Sequence, residues 1–163
     1  MRADFINIAG NKTRVLRAGD GPAVLLLHGV GTMAERWQSN IDRLADEGYR
    51  VIAPDLLWCG FSENAPFDLR PPQIQHVDHL DALLGAFAVS RFSVVGSSYG
   101  GLLASLLALR HPNRVERLVI VGSGSAFHPP EEQHAVLSKA RDNAITALKD
   151  GTLDGDRKST RLN

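Results

Sequence analysis

The chain has one cysteine, Cys59, in 163 residues, and its six histidines are scattered. A lone thiol closes no internal disulfide, and no second ligand stands near it at metal-binding spacing. That excludes a disulfide framework and a cysteine-based metal site, and it agrees with a reducing compartment. No run of about 18 apolar residues exists, so a membrane-spanning helix is excluded. The first nine residues lack the basic start and long apolar stretch of a secretion signal, so the expected location is cytoplasmic. Basic and acidic residues number 18 each. With no basic cluster, nothing points to nucleic acid or to an anionic membrane surface as a partner. Aromatic residues are few, at 6%, but 44% of the chain is apolar, enough for the core of about one domain.

What is present alternates between strand-like and helix-like segments. Phe5 to Ala9 and Lys12 to Arg17 are two short strand-like runs joined at Gly10-Asn11, as in a tight antiparallel hairpin. Ala23 to Leu27 is apolar without alternation, the pattern of a parallel strand covered on both faces. From Ala34 to Glu47, Trp37, Ile41 and Leu44 recur at helical spacing, and Gly48 ends the helix. Val51 to Ala53 is the next strand. Pro71-Pro72 opens a helix with the stripe Ile74, Val77, Leu80, Leu84 and Phe87. Phe92 to Val95 and Leu118 to Val121 read as further buried strands, with a helix between them from Tyr99 to Arg110. Pro129-Pro130 opens a last helix carrying Leu137, Ala140, Ala144 and Leu148. The expected fold class is α/β, a doubly wound, mainly parallel sheet with an N-terminal antiparallel hairpin.

One pentapeptide stands at a junction that matters. Gly96-Ser97-Ser98-Tyr99-Gly100 lies between the Phe92 to Val95 strand and the following helix, the context in which G-x-S-x-G presents its serine at a sharp strand-to-helix turn. Glycines on both sides have a physical reason, because a turn that tight leaves no room for Cβ atoms. A serine hydroxyl so placed can attack a carbonyl carbon if a base takes its proton. Ser98 is the candidate nucleophile; Ser97, one place earlier, breaks the glycine spacing. Negative charge then develops on the carbonyl oxygen. The expected donors to it are the amide of Tyr99 and an amide in the loop after the Ala23 to Leu27 strand.

The tail has its own character. The residues from Asp156 to Asn163 correspond to an in-frame reading of a string that resembles a common sequencing-adapter oligonucleotide. They are expected to be a non-native scar on a truncated gene. Without the tail's three basic residues and one acidic residue, 15 basic residues stand against 17 acidic. The neutral balance then belongs partly to the tail. The expected divisions are 1–126 for the core, 127–155 for the next segment and 156–163 for the scar.

Four landmarks in order carry a family resemblance. They are His28-Gly29-Val30-Gly31; Ala53-Pro54-Asp55-Leu56 leading to Gly60-Phe61-Ser62; Gly96 to Gly101; and His111-Pro112-Asn113-Arg114-Val115. Together they resemble the α/β-hydrolase superfamily over roughly residues 5–150, and within it the branch of esterases and carbon–carbon bond hydrolases. Haloalkane dehalogenases and epoxide hydrolases of this fold are similar but use an aspartate nucleophile, which Ser98 argues against. The resemblance implies a hydrolase of small apolar substrates that needs no cofactor or metal, with Val30 as the second oxyanion amide, His28 as an organiser of its loop, and 127–155 as the start of a helical lid. Trp58 and Phe127 are candidate pocket walls, with core packing as the other reading. Trp58 stands where the family often has glycine, so the form of its loop is open.

Other histidines are expected to have plain roles. His76 and His79, three apart beside Asp78 and Asp81, are expected on an exposed helix face. His111 belongs to the helix-ending His-Pro pair, and His128 and His134 are expected to be solvated. In this fold acid and histidine follow the serine in the chain. Gly122 to Ala126 contains no carboxylate, so acid and base are expected beyond residue 163, with two sheet strands missing and an apolar edge left open. Two alternatives stand beside the hydrolase. Gly29-Val30-Gly31-Thr32-Met33-Ala34 fits the G-x-G-x-x-A of a dinucleotide-binding loop, with Asp55 ending the next strand. A non-catalytic, hydrolase-like binder of small molecules is the other.

Overall fold

In the computed structural model, residues 1–123 are described; the expected lid and tail, with Phe127, His128 and His134, lie outside them. Six strands form one sheet: β1 (Arg2–Ile8), β2 (Asn11–Ala18), β3 (Ala23–Leu27), β4 (Arg50–Pro54), β5 (Phe92–Ser97) and β6 (Val115–Val121), in the order β1-β2-β4-β3-β5-β6. β1 and β2 run antiparallel to their neighbours, whereas β4, β3, β5 and β6 are mutually parallel. Among the described residues three α-helices alternate with the strands: α1 (Gln38–Asp46), α2 (Pro72–Ala86) and α3 (Tyr99–Arg110).

The hairpin turns one residue earlier than its glycine suggested. Ile8 pairs with Asn11, so Ala9 and Gly10 form the turn, both at positive φ (49° and 87°). Two left-handed residues give the twist that matches the flanking strands. Asn7 Oδ1 accepts the Gly10 N–H at 2.9 Å. The helix expected from Ala34 likewise begins differently, with a 3₁₀ turn (Ala34–Trp37) before α1.

β3 shows how the core divides. Leu25 and Leu27 point to one face, packing with Leu80, Leu84 and Leu103 of α2 and α3. Val24 and Leu26 point to the other, packing with Trp37 and Ile41. Alternate side chains of a strand go to opposite faces, so a continuous apolar run is what a sheet covered on both sides requires. Each fully buried leucine contributes about 1.5–3 kcal/mol from its removal from water.

Two expectations fail here. His76 and His79 are buried, at 5% and 6% exposure. Their helix is covered beyond its apolar stripe, because β1 and β2 lie against one side and the loop after β4 against another: His79 reaches Thr13 of β2 and His76 packs on Trp58. The charged neighbours take the outer face instead, Asp78 pairing with Arg70 and Arg110, and Asp81 with Arg110 and His111. β6 is also not a buried strand. Leu118 and Val119, successive residues on opposite faces, are 39% and 48% exposed. As the edge strand it is covered only in part, Ile120 lying against Gly101 of α3, and among the described residues no strand pairs with its outer edge.

Candidate active site

The turn between β5 and α3 is a single residue, Ser98, at φ 52° and ψ −119°. Only strong local constraint holds a non-glycine residue there, at a cost of about 1–3 kcal/mol. The constraints are visible. The Ser98 N–H donates to Val121 O at 2.9 Å, and its carbonyl accepts the Gly101 N–H at 2.9 Å and the Ser123 hydroxyl. A Cβ on Gly96 would stand 2.1 Å from Gly100 O, and one on Gly100 2.3 Å from Leu27 O. Both contacts are with backbone, which cannot step aside, so both positions require glycine. Ser98 itself is exposed.

Across from it runs the loop after β3, organised by His28. This imidazole is fully buried; Nδ1 lies 2.8 Å from Gly29 O and Nε2 3.0 Å from Leu56 N. A carbonyl only accepts and an amide only donates, so Nδ1 carries the hydrogen and Nε2 the lone pair. Both nitrogens are spent on backbone, and burial pushes the pKa down. Val30 follows on the same loop, 74% exposed. Neither the Val30 nor the Tyr99 amide donates to an acceptor among the described residues. Tyr99 is moreover the first residue of α3, where helix N–H groups are unpaired and the dipole favours negative charge.

Asp55, at the end of β4, ties these loops together in a way the sequence pattern did not reveal. Fully buried, it accepts the Ala34 N–H and the Phe61 N–H, each at 2.8 Å, and pairs with Arg14 at 3.2 Å. Arg14 is also paired with Glu35, whose carboxyl it holds below its ordinary range. Asp55 is fully buried, so no ribose hydroxyl reaches it, and a 3₁₀ turn follows Gly29 to Met33 in place of an α-helix N-terminus. That removes the physical basis of the dinucleotide alternative.

A cavity of about 330 Å³ opens at this end of the parallel strands, lined by Gly29, Val30, Leu56, Trp58, His76 and Tyr99 among others. It brings three residues singled out from the sequence, Val30, Trp58 and Tyr99, to one place beside Ser98. Trp58 settles the question of its loop. It sits at φ 62°, the left-handed region that glycine enters freely, and its indole N–H donates to Ala65 O at 2.7 Å. The loop therefore keeps the turn a glycine would make. Another cavity, about 360 Å³, is lined by Arg2, Arg17 and Arg50 at the opposite strand ends, away from the carboxyl ends where open α/β sheets place their ligands. Among the described residues no group of three or more His, Cys, Asp or Glu could hold a metal ion, and no helix is long and apolar enough to cross a membrane.

A mainly parallel sheet in which an inner strand runs through a strained serine into a helix, with a glycine loop beside it, defines a class of enzyme-bearing fold. The family model described as "alpha/beta hydrolase fold" matches residues 22–159, and the chain belongs to that family. It is 38% identical over 122 residues to a 2-hydroxymuconate semialdehyde hydrolase of Pseudomonas putida, covering 74% of this chain and 43% of that protein. A 2-hydroxy-6-oxo-6-(2'-aminophenyl)hexa-2,4-dienoic acid hydrolase of Metapseudomonas resinovorans is 34% identical, covering 93% of this chain and 53% of that protein. Among solved structures, a Vigna radiata epoxide hydrolase variant aligns with TM-score 0.68 and 32% identity, covering 73% of this chain and 37% of that one. A meta-cleavage product hydrolase aligns with TM-score 0.64 and 36% identity, covering 70% and 42%. The chain spans about half the length of the curated relatives it matches.

Proposed function

We propose that Ser98 is the nucleophile of a serine hydrolase acting on a small apolar ester or carbon–carbon bond, with the amides of Tyr99 and Val30 as its oxyanion hole. The observation that carries this reading is the backbone of Ser98, held at φ 52° and ψ −119° between two obligatory glycines and exposed toward the cavity end of the sheet. In the reaction the hydroxyl oxygen attacks the carbonyl carbon while a base takes its proton, and the negative charge forms on the carbonyl oxygen. Each amide aimed at that oxygen is worth roughly 10²–10³ in rate. Relatives named as hydrolases of 2-hydroxymuconate semialdehyde and of a dienoic acid support a small-molecule substrate.

The base comes from outside residues 1–123. Each described histidine is engaged elsewhere: His28 with Gly29 and Leu56, His76 with Pro72, His79 with Thr13, and His111 with Asp81. On this reading the 163-residue chain alone shows little or no esterase turnover, because no described histidine is placed to take the Ser98 proton. The test is labelling of the uninterrupted gene product with a fluorophosphonate probe. Ser98 should be modified and a Ser98→Ala variant should not; undiminished labelling of the variant overturns the assignment.

A further inference from the structure

The amides of Tyr99 and Val30 share a feature that neither loop shows alone. Each is one end of a peptide group whose carbonyl oxygen, at the other end, is held by a side-chain hydrogen. The Tyr99 N–H belongs to the same peptide as the Ser98 carbonyl, and the Val30 N–H to the same peptide as the Gly29 carbonyl. A trans peptide is planar with its N–H and C=O pointing opposite ways, so whatever fixes the oxygen also aims the hydrogen. No peptide among the described residues is cis.

At the Ser98 carbonyl the additional donor is Ser123. The first turn of α3 supplies the ordinary bonds to this oxygen, from Gly101 N at 2.9 Å and Leu102 N at 3.4 Å. The Ser123 hydroxyl adds one from outside the helix. Ser123 follows β6 and is buried; Gly122 before it turns at φ 58°. A Cβ on Gly101 would stand 2.6 Å from the Ser123 Cβ, so Gly101 leaves the room in which this serine sits. The Gly29 carbonyl has two donors, the His28 Nδ1–H at 2.8 Å and the Thr32 hydroxyl at 2.9 Å. Neither Ser123 nor Thr32 is among the described residues that line the cavity. Their reach to it is through the backbone.

We infer that Ser123 and Thr32 are positioning residues, each of which holds and polarises a peptide group from its carbonyl end and so aims and strengthens the N–H that meets the oxyanion. This rests on the serine hydrolase reading, which supplies the oxyanion. Linked hydrogen bonds strengthen one another by about 10–30% per bond. An oxyanion donor is worth roughly 10²–10³ in rate, so losing one such bond should cost about two- to eight-fold.

Amide nitrogen resonances of Val30 and Tyr99 read this polarisation in the 163-residue chain without turnover. Thr32→Val keeps the shape of the side chain and removes its hydroxyl. It should move the Val30 nitrogen upfield and leave Tyr99 in place, and Thr32→Ser should restore the original position. Ser123→Ala should move Tyr99 and leave Val30. In the uninterrupted gene product, Thr32→Val and Ser123→Ala should each lower kcat and kcat/KM for p-nitrophenyl acetate about two- to eight-fold with KM unchanged, because the charge forms only in the transition state. Thr32→Ser should recover the rate. Ser105→Ala, which removes a hydroxyl bonded to the Gly101 carbonyl on the same helix, should leave it unaltered. Unmoved resonances, a full rate in Thr32→Val, or a change confined to KM overturns the inference. Thr32 is exposed, so its variants decide the matter even where Ser123→Ala does not fold. Undiminished labelling of Ser98→Ala with the resonances moved overturns the hydrolase reading and leaves the peptide polarisation standing. Full turnover in Thr32→Val with Ser98 labelled overturns this inference alone.

Discussion

A Cβ built on Gly29 would stand 3.1 Å from Ser98 Cβ and 3.6 Å from Ser98 Oγ, so the loop after β3 and the turn after β5 touch through a glycine. Ser98 cannot yield easily, because its N–H is held by Val121 and its carbonyl by Gly101. Gly29→Ala should therefore displace the hydroxyl by a few tenths of an ångström and slow fluorophosphonate labelling of the uninterrupted gene product about tenfold, with little change in melting temperature. Labelling at the unsubstituted rate would show that the contact does not position the serine.

Ser98→Gly should stabilise the chain. Relief of the strained backbone is worth about 1–3 kcal/mol, against roughly 0.5–1 kcal/mol for the extra freedom glycine brings to the unfolded chain. The net gain is about 1 kcal/mol. Ser98→Ala keeps a Cβ and so keeps the strain. Urea unfolding of the two variants separates the effects, and equal midpoints would contradict a strain stored at this residue.

Asp55→Ala should cost about 3–5 kcal/mol, the penalty for breaking a buried ion pair, and it leaves the Ala34 and Phe61 amides without their acceptor. Asp55→Asn retains acceptor oxygen and should cost less. Chemical denaturation of both measures this, and a loss under about 1 kcal/mol in the alanine variant would remove Asp55 from its place as the tie between loops.

Acid should destabilise the fold through His79. Burial lowers its pKa from 6.5 to about 4, so between these values the unfolded chain binds the proton and the folded chain does not. The contribution is intact above pH 6.5 and is lost as pH falls toward 4, amounting to about 3 kcal/mol. His28 and His76, also lowered by burial, act in the same direction. His79→Gln should flatten the dependence of melting temperature on pH between 6.5 and 4. An identical slope in the variant would show that His79 does not titrate with folding.

How much of this was legible in the sequence depended on the range of the interactions. The strand-to-helix turn around Ser98 could be located from glycine spacing between an apolar strand and a helix, because Gly96 meets Gly100 within the turn itself, although the contact that requires Gly100 comes from Leu27 on β3. The strand and helix order followed from apolar periodicity, and the continuous run Ala23 to Leu27 correctly implied cover on both faces. His76 and His79 went wrong because adjacent aspartates suggested an outward face, while the loop that covers them is attached elsewhere in the chain. Leu118 to Val121 looked buried for the converse reason, since an apolar strand carries no mark of whether a neighbour exists. Arg14 and the Asp55 tie arise only when β2, β4 and two loops meet, and no local pattern announces that.

β6 has one further consequence. Its inner edge is taken by β5, and among the described residues nothing pairs with its outer edge, where Leu118, Val119 and Val121 present apolar side chains to water. Within residues 1–123 that edge is a row of N–H and C=O groups open to the addition of a strand, and the Val121 carbonyl that holds the Ser98 N–H lies on a strand paired from one side alone.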